Sequence, residues 1–332
     1  MTNIDEVRIP EHPTVLAALR LACRAPSVHN TQPWRWVFDG TRLHLYGDGE
    51  RRLHSADPQG RQLVISCGAM LHHVSTAFAA RGWHTDITRL PDPTRRDHLA
   101  VLDFRPWPDP PDRLLALARA IDRRHTDRLP LLEPPHWAER SDTVRSLVSA
   151  YEIEFDLLDG SERPRLAAAS EQSSALRRHD PHYQNELHWW AGNTANLEGI
   201  PASALASNAE LSQVGVGREF PAGPRALRRG DLDDRAELAV LSSPDDAPLH
   251  WLRSGEALSA ALLEFTVAGL ATCPLTHITE LPSSRRIIAG LIPRPGVPQV
   301  VVRVGAAPQG PEQPPTPRRH VAEFFSVDRS AR

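Results

Sequence analysis

Apolar residues recur at helical spacing from about Thr14 to Ala25. Val15, Leu16, Leu19, Ala22 and Cys23 share one face there before Pro26 closes the segment. The period then switches to two. "WRWVFDGTRLHLYG" alternates apolar and polar residues on both sides of Asp39-Gly40, a dipeptide suited to the positive φ of a two-residue hairpin turn. A long helix is expected over about residues 60–81, then strands at "WHTDITRL" and "LAVLDFRP", then a helix over "DRLLALARAIDRR". The second half supplies a strand at "YEIEFDLL", helices over 162–178 and 181–198, a strand at "AELAVLSS", a long helix over 249–270 and a strand at "PQVVVRVG". The fold class is α+β. Residues 201–231 hold no period and are rich in Gly, Pro, Ser and Arg, which reads either as a surface excursion or as a cover over a site.

Two of the expected helices resemble each other. In "GAMLHHVSTAFAARG", residues 68–82, and "GEALSAALLEFTVAG", residues 255–269, bracketing glycines enclose a leucine (Leu71, Leu258) and a phenylalanine (Phe78, Phe265) at matched offsets. Chance similarity between two core helices is one reading. A duplicated unit is the other, in which one chain folds like two subunits whose symmetric interface has become internal.

Composition narrows the function classes. The 332 residues, 40% apolar and 24% charged, suit a soluble chain with a sizeable core. A net charge of −3 spread along the chain offers no field for nucleic acid or an anionic membrane. No run of about 18 apolar residues occurs, and residues 1–12 carry no apolar signal segment. The three cysteines, Cys23, Cys67 and Cys273, are far apart in apolar contexts, reading as buried thiols in a reducing compartment. A cytoplasmic location is therefore expected. The 16 histidines show no ligand spacing, so no metal is expected. Ser27 and His29 lack the glycine pair of a nucleophile elbow, which argues against a hydrolase.

Three segments carry groups suited to a planar, phosphate-bearing ligand. In "PSVHNTQPW", Ser27, His29, Asn30, Thr31 and Gln32 offer hydroxyl, imidazole and amide groups to a heteroaromatic edge, or else form a polar turn satisfied by its own backbone. In "RRHTDRLP", Arg123, Arg124 and Arg128 surround Thr126; such forks suit phosphate oxygens, and arginines in a last helical turn also complement the helix dipole. "TPRRHVAEFF" places Thr316 and Pro317 before Arg318 and Arg319, a phosphate site or a solvated basic turn.

In combination these segments resemble the nitroreductase-like FMN-binding superfamily: "RAPSVHNTQPWRW" its "APSxxNxQPW" loop, "RRHTDR" its "RRSxR" phosphate signature, and "AGLATCPLTH" the stretch beside the flavin. "PRR" is similar to its C-terminal phosphate arginine. Taken with "EGIPASAL" and "GLATCPLTHITEL", the order of segments resembles the actinobacterial Acg family. The resemblance implies FMN as cofactor, with the ring held by Ser27, Val28, His29, Asn30, Thr31 and Gln32 and bordered by Thr272 and Cys273. The phosphate falls to Arg123, Arg124, Thr126, Arg128, Thr316, Pro317, Arg318 and Arg319. It also implies two fused nitroreductase-like halves, residues 1–110 and 111–332, forming an intramolecular pseudo-dimer with one flavin per chain. The mirror-image site has only Arg8 near the N-terminus to offer a phosphate. A monomer is then expected. The implied activity is NAD(P)H-dependent reduction of a small nitroaromatic or quinone acceptor through the flavin, with no catalytic side chain of its own. The alternative is flavin storage, with residues 201–231 covering the ring.

Overall fold

The computed structural model describes residues 9–192, 198–220, 228–309 and 315–328. Residues 1–8, including Arg8, and residues 221–227 of the expected cover lie outside them. The chain order is α1 (His12–Ala22), β1 (Trp34–Phe38), β2 (Leu43–Gly47), α2 (Arg61–Ala79), β3 (Trp83–Arg89), β4 (His98–Pro106) and α3 (Asp112–Arg123). Then come α4 (Trp137–Ser149), β5 (Glu154–Leu157), α5 (Arg163–Arg178), α6 (Pro181–Trp190), α7 (Asn208–Gln213) and β6 (Glu237–Ser243). The chain closes with α8 (Pro248–Val267), β7 (Ala271–Leu275), α9 (Pro282–Ala289), β8 (Val297–Gly305), α10 (Val321–Phe324) and β9 (Phe325–Val327). The fold is α+β, and no described helix is long and apolar enough to cross a membrane.

The same arrangement occurs twice. One sheet has the order β3-β4-β2-β1 and the other β7-β8-β6-β5, so α1-β1-β2-α2-β3-β4 matches α4-β5-β6-α8-β7-β8 element for element. Every pairing in both sets is antiparallel, and the register shifts at equivalent places, Leu45/Tyr46 and Leu241/Ser242. The second copy carries α5, α6 and α7 as an insertion between β5 and β6. The C-terminal strand β9 leaves the second copy and pairs in parallel with β1 of the first.

The repeated helices explain themselves where they cross. α2 and α8 are buried on nearly every face, which suits helices at the centre of a molecule rather than on its surface. A Cβ on Gly68 would collide with the carbonyl oxygen of Leu252, and one on Gly255 with that of Ile65. Each glycine thus meets the residue three places before its counterpart, a two-fold relation read at atomic scale. The second glycine of each pair, Gly82 and Gly269, turns the chain after its helix with φ +77°. Fully buried Trp34 and Trp36 anchor the first core. The second forms around Phe155 and Phe265.

Some elements depart from the sequence pattern. The hairpin turn centres on Gly40-Thr41, one residue later than expected, because the Asp39 carboxylate accepts from the Thr41 and Arg42 backbone N–H groups at 2.8 and 2.7 Å. The three cysteines are buried and free.

Candidate functional site

The loop after α1 is held in a conformation it would not adopt alone. His29, Asn30 and Gln32 have φ of 47°, 58° and 50°, a region that costs non-glycine residues about 1–3 kcal/mol each. Side chains hold it there. Ser27 Oγ accepts from the Gln32 backbone N–H at 3.0 Å, and the Val28 N–H donates to Ser66 Oγ at 3.1 Å. Asn30 Nδ2 donates to the carbonyls of Gly199 (2.8 Å) and Pro317 (3.0 Å), and Arg51 Nε donates to Thr31 O at 2.6 Å. Gln32 Oε1 accepts from the Arg319 N–H at 2.9 Å, and the Arg319 guanidinium donates to Gln32 O at 2.9 Å and Trp34 O at 3.3 Å. Asn30, Gln32 and Arg319 therefore shape the loop, while Ser27, Val28 and His29 face a cleft.

That cleft encloses about 920 Å³, counting space open to solvent. Its floor is Gln62, Ile65 and Ser66 of α2 with Leu258 of α8, and its far wall runs from Cys273 to His277. Thr126 and Arg128 line its side, positioned by the Asp127 N–H donating to Thr272 O at 2.9 Å. Thr272 contributes this backbone bridge, and Cys273 lines the cleft. Leu211, Gly217, Arg218 and Phe220 of the 201–220 segment complete the lining. Arg218 ties that segment down, donating to Glu280 at 2.9 Å and to the Tyr183 hydroxyl at 2.5 Å. Arg128 reinforces it, donating to Ala204 O at 3.1 Å with its guanidinium 5.3 Å from the Phe220 ring centroid.

The cleft holds buried polar atoms without a hydrogen-bond partner among the described residues: both nitrogens of the His29 ring, His277 Nδ1 and the Gln62 amide. Ser170 Oγ donates to Gly217 O at 3.0 Å and lies 2.7 Å from His277 Nε2, so His277 donates through Nε2 and turns a lone pair outward at Nδ1. Burial, reinforced by the Arg218 cation, holds both histidines well below the usual imidazole range, and they are neutral at pH 7. Burial also pushes the Cys273 thiol up.

A second set of unsatisfied groups is cationic. Arg24, Arg124 and Arg318 converge after α1, at the end of α3 and near the C-terminus, with Arg124 Nη2 and Arg318 Nη2 each 3.2 Å from Arg24 O. Burial and then the two neighbouring cations bring Arg124 down to about 9, and burial with Arg24 brings Arg318 to about 10. Arg24 has the exposed Asp122 at 3.3 Å; Nε and Nη1 of Arg124 and Nε of Arg318 have no hydrogen-bond partner among the described residues. Three mutually repelling cations, Arg124 buried and Arg24 and Arg318 half-buried, call for an anion beside them. Thr316 and Pro317 add backbone carbonyls that accept from Arg318 Nη1 at 3.1 and 3.0 Å. Arg123 is exposed, and Arg319 is engaged with the loop, so neither joins the cluster.

Sequence reasoning did not single out Arg24, Gln62, Arg218 or His277. Arg24 begins the opening motif and reads there as a helix-end residue. Arg218 sits in the aperiodic segment, where no period marks a buried side. No group of three or more metal-ligating side chains occurs among the described residues.

No protein-family profile matches the chain. It is 45% identical over 315 residues to "Putative NAD(P)H nitroreductase acg" of Mycobacterium tuberculosis, covering 94% of this chain and 95% of that protein. It is 38% identical over 320 residues to "Putative NAD(P)H nitroreductase Rv3131" of the same organism, covering 95% and 91%. Among solved structures, the FMN-dependent nitroreductase NfnB of Mycobacterium smegmatis in complex with NADPH overlaps 66% of this chain and 100% of its own at TM-score 0.40 and 17% identity. A protein described as a "putative nitroreductase" from Anabaena variabilis overlaps 91% and 90% at TM-score 0.45 and 9% identity. On the evidence of its mycobacterial relatives, aligned nearly end to end, the chain belongs to the Acg family of nitroreductases.

Proposed function

We propose that this chain is an FMN-binding oxidoreductase that takes electrons from NAD(P)H and reduces a small nitroaromatic or quinone-type acceptor. The arginine cluster carries the reading. Arg24 and Arg124 stand two residues before Pro26 and Thr126 of the cleft lining, and the bare N–H groups of Arg124 and Arg318 suit the phosphate oxygens of a flat-ring ligand. The unpartnered Gln62 amide and His29 ring nitrogens fit the mixed donor and acceptor edge of an isoalloxazine. When bound, FMN supplies the hydride and electron chemistry. The residues' part is to bind the phosphate, hold the ring between the loop Ser27–His29 and the β7 end, and keep water out beneath residues 201–220. Family relatives named for NAD(P)H nitroreductase activity favour the same reading. The doubled topology and the glycine crossing support a fused pair of subunits, and hence a monomer with one flavin.

One observation favours a second reading. Hydride transfer needs the reacting atoms about 3–3.5 Å apart, and the segment anchored by Arg218 and Arg128 contributes Leu211, Gly217, Arg218 and Phe220 to the cleft lining, which favours a covered ring. A cover that stays shut leaves flavin storage as the role. Anaerobic mixing of flavin-loaded protein with NADH or NADPH separates the two. Bleaching of the flavin bands is expected for the oxidoreductase; no bleaching, with dithionite still effective, assigns storage.

A further inference from the structure

The charged groups that line the cleft are all of one sign. Arg128, Arg218 and Arg303 face it, and among the described residues no carboxylate does. The carboxylates stand behind the guanidiniums. Glu280 balances Arg218 one for one at 2.9 Å. Arg303, in β8 and 1% exposed, donates to Leu129 O at 3.2 Å and to Asp234 Oδ1 at 2.6 Å. Arg163 also reaches Asp234, at 3.3 Å, so one carboxylate serves two guanidiniums. Arg128 donates to a neutral carbonyl, Ala204 O at 3.1 Å, while its neighbour in sequence, Asp127, is taken by Arg229 at 2.8 Å. The side of the cleft formed by Arg128 and Arg303 therefore carries excess positive charge in a setting that screens it weakly. Two side chains of the lining register that field. Both cations oppose the rise that burial gives the Cys273 thiol, and Arg218 and Arg128 add to the burial that keeps His29 neutral.

We propose that the cleft holds a flavin more tightly in its reduced than in its oxidised form, and that Arg303, oriented by Asp234, is a residue that sets this preference. The proposal rests on the flavin reading of the cleft. Oxidised isoalloxazine is uncharged. A hydride from a reduced nicotinamide brings two electrons and one proton and leaves the nicotinamide oxidised; the ring then carries one negative charge unless water supplies a further proton. Excess positive charge on the lining stabilises that form and does nothing comparable for the neutral one. Arg303 lies outside every motif segment, and Asp234 acts through it by fixing the guanidinium together with the Leu129 carbonyl. Tighter binding of the reduced form is, by linkage, a raised midpoint potential of the bound flavin.

Dye-equilibrated reductive titration of the flavin-loaded protein reads that potential without turnover, and absorbance gives flavin content in the same samples. Each such cation is expected to contribute about tenfold to the preference, so the midpoint should stand at least about 30 mV above that of free FMN. Arg303→Met should lower it by about 30 mV, and Arg303→Lys, which keeps the charge, should restore it. Asp234 retains Arg163 and the Leu131 N–H, at 3.0 Å, in both variants. Arg128→Met should lower the midpoint as well, and it carries the test if Arg303→Met does not fold. A structural role alone would lower melting temperature in both Arg303 variants and leave the potential where it was. A midpoint at or below that of free FMN, or an unchanged midpoint in loaded Arg303→Met, would overturn the proposal. Missing flavin bands would sink the cofactor reading, and the charge of the lining is then decided on the empty protein. A naphthoate should bind there more tightly than the matching uncharged naphthamide, and equal binding would overturn the proposal.

Discussion

Arg123 and Arg124 are neighbours in sequence with opposite surroundings. The last turn of α3 leaves Arg123 in solvent and buries Arg124 beside Arg24 and Arg318. Arg123→Ala is expected to leave flavin content unchanged in purified protein, whereas Arg124→Ala should lose most of it. Arg319 looks equivalent to Arg318 in sequence, yet its guanidinium bonds Gln32 O, Trp34 O and Glu323 O. Arg319→Ala should therefore lower thermal stability even in flavin-free protein, which Arg124→Ala should not do: removing one of three crowded cations relieves repulsion. Both contrasts need only absorbance and a melting curve. The residue types of the site were legible in the sequence, since "PSVHNTQPW", "RRHTDR" and "PRR" all border it. Which member of each segment faces inward was not, because that depends on a loop with three positive φ values and on partners as distant as Gly199 and Pro317.

Among the elements, α2 and α8 are the frame on which both halves hang. Gly68→Ala places a methyl against the Leu252 carbonyl where neither helix can retreat without disturbing the other half, and overpacking of that kind costs about 1–3 kcal/mol or more. Denaturant melts should show the loss, with the symmetric Gly255→Ala doing the same. The 201–220 segment is the other decisive element. Its fully buried Glu280 anchor can no longer balance Arg218 once changed to Gln, and an uncompensated buried cation is strongly destabilising. Faster proteolysis within residues 201–231 and a lower melting temperature are expected in Glu280→Gln. Periodicity revealed most of the long helices and the strands that alternate. It did not reveal α4, whose apolar face is thin, nor β7, where a proline interrupts a five-residue strand, nor β9, which is three residues long and exists because β1 offers it an edge.

For the whole molecule, five histidines held below their usual range, His98 among them, set the acid limit among the described residues. Burial holds His29, His73 and His277 well below the usual 6.5 and brings His72 to about 4. Unfolded chains take up these protons as pH falls through about 6.5, while the native state does not until far lower. Stability is therefore complete above that pH and declines as pH falls from 6.5 toward 4, by up to about 1.4 kcal/mol per pH unit for each titrating histidine. Urea midpoints between pH 7.5 and 4.5 should fall accordingly, and replacing His72 by a neutral side chain should flatten the slope. The repeated arrangement of elements showed in the sequence only as four matched residues in and just after two helices. Its full extent, with identical strand order and equivalent register shifts, was hidden by the insertion between β5 and β6.

The central claim is that the cluster of Arg24, Arg124 and Arg318 grips the phosphate of a flavin. Fluorescence titration of flavin-free protein with FMN and with riboflavin, which lacks that phosphate, tests it most directly. FMN is predicted to bind about a hundredfold more tightly, as loss of two or more charge-assisted hydrogen bonds implies, and the difference should vanish in Arg124→Ala/Arg318→Ala. Equal affinity for the two flavins, or an FMN preference that survives in the double variant, would contradict the account.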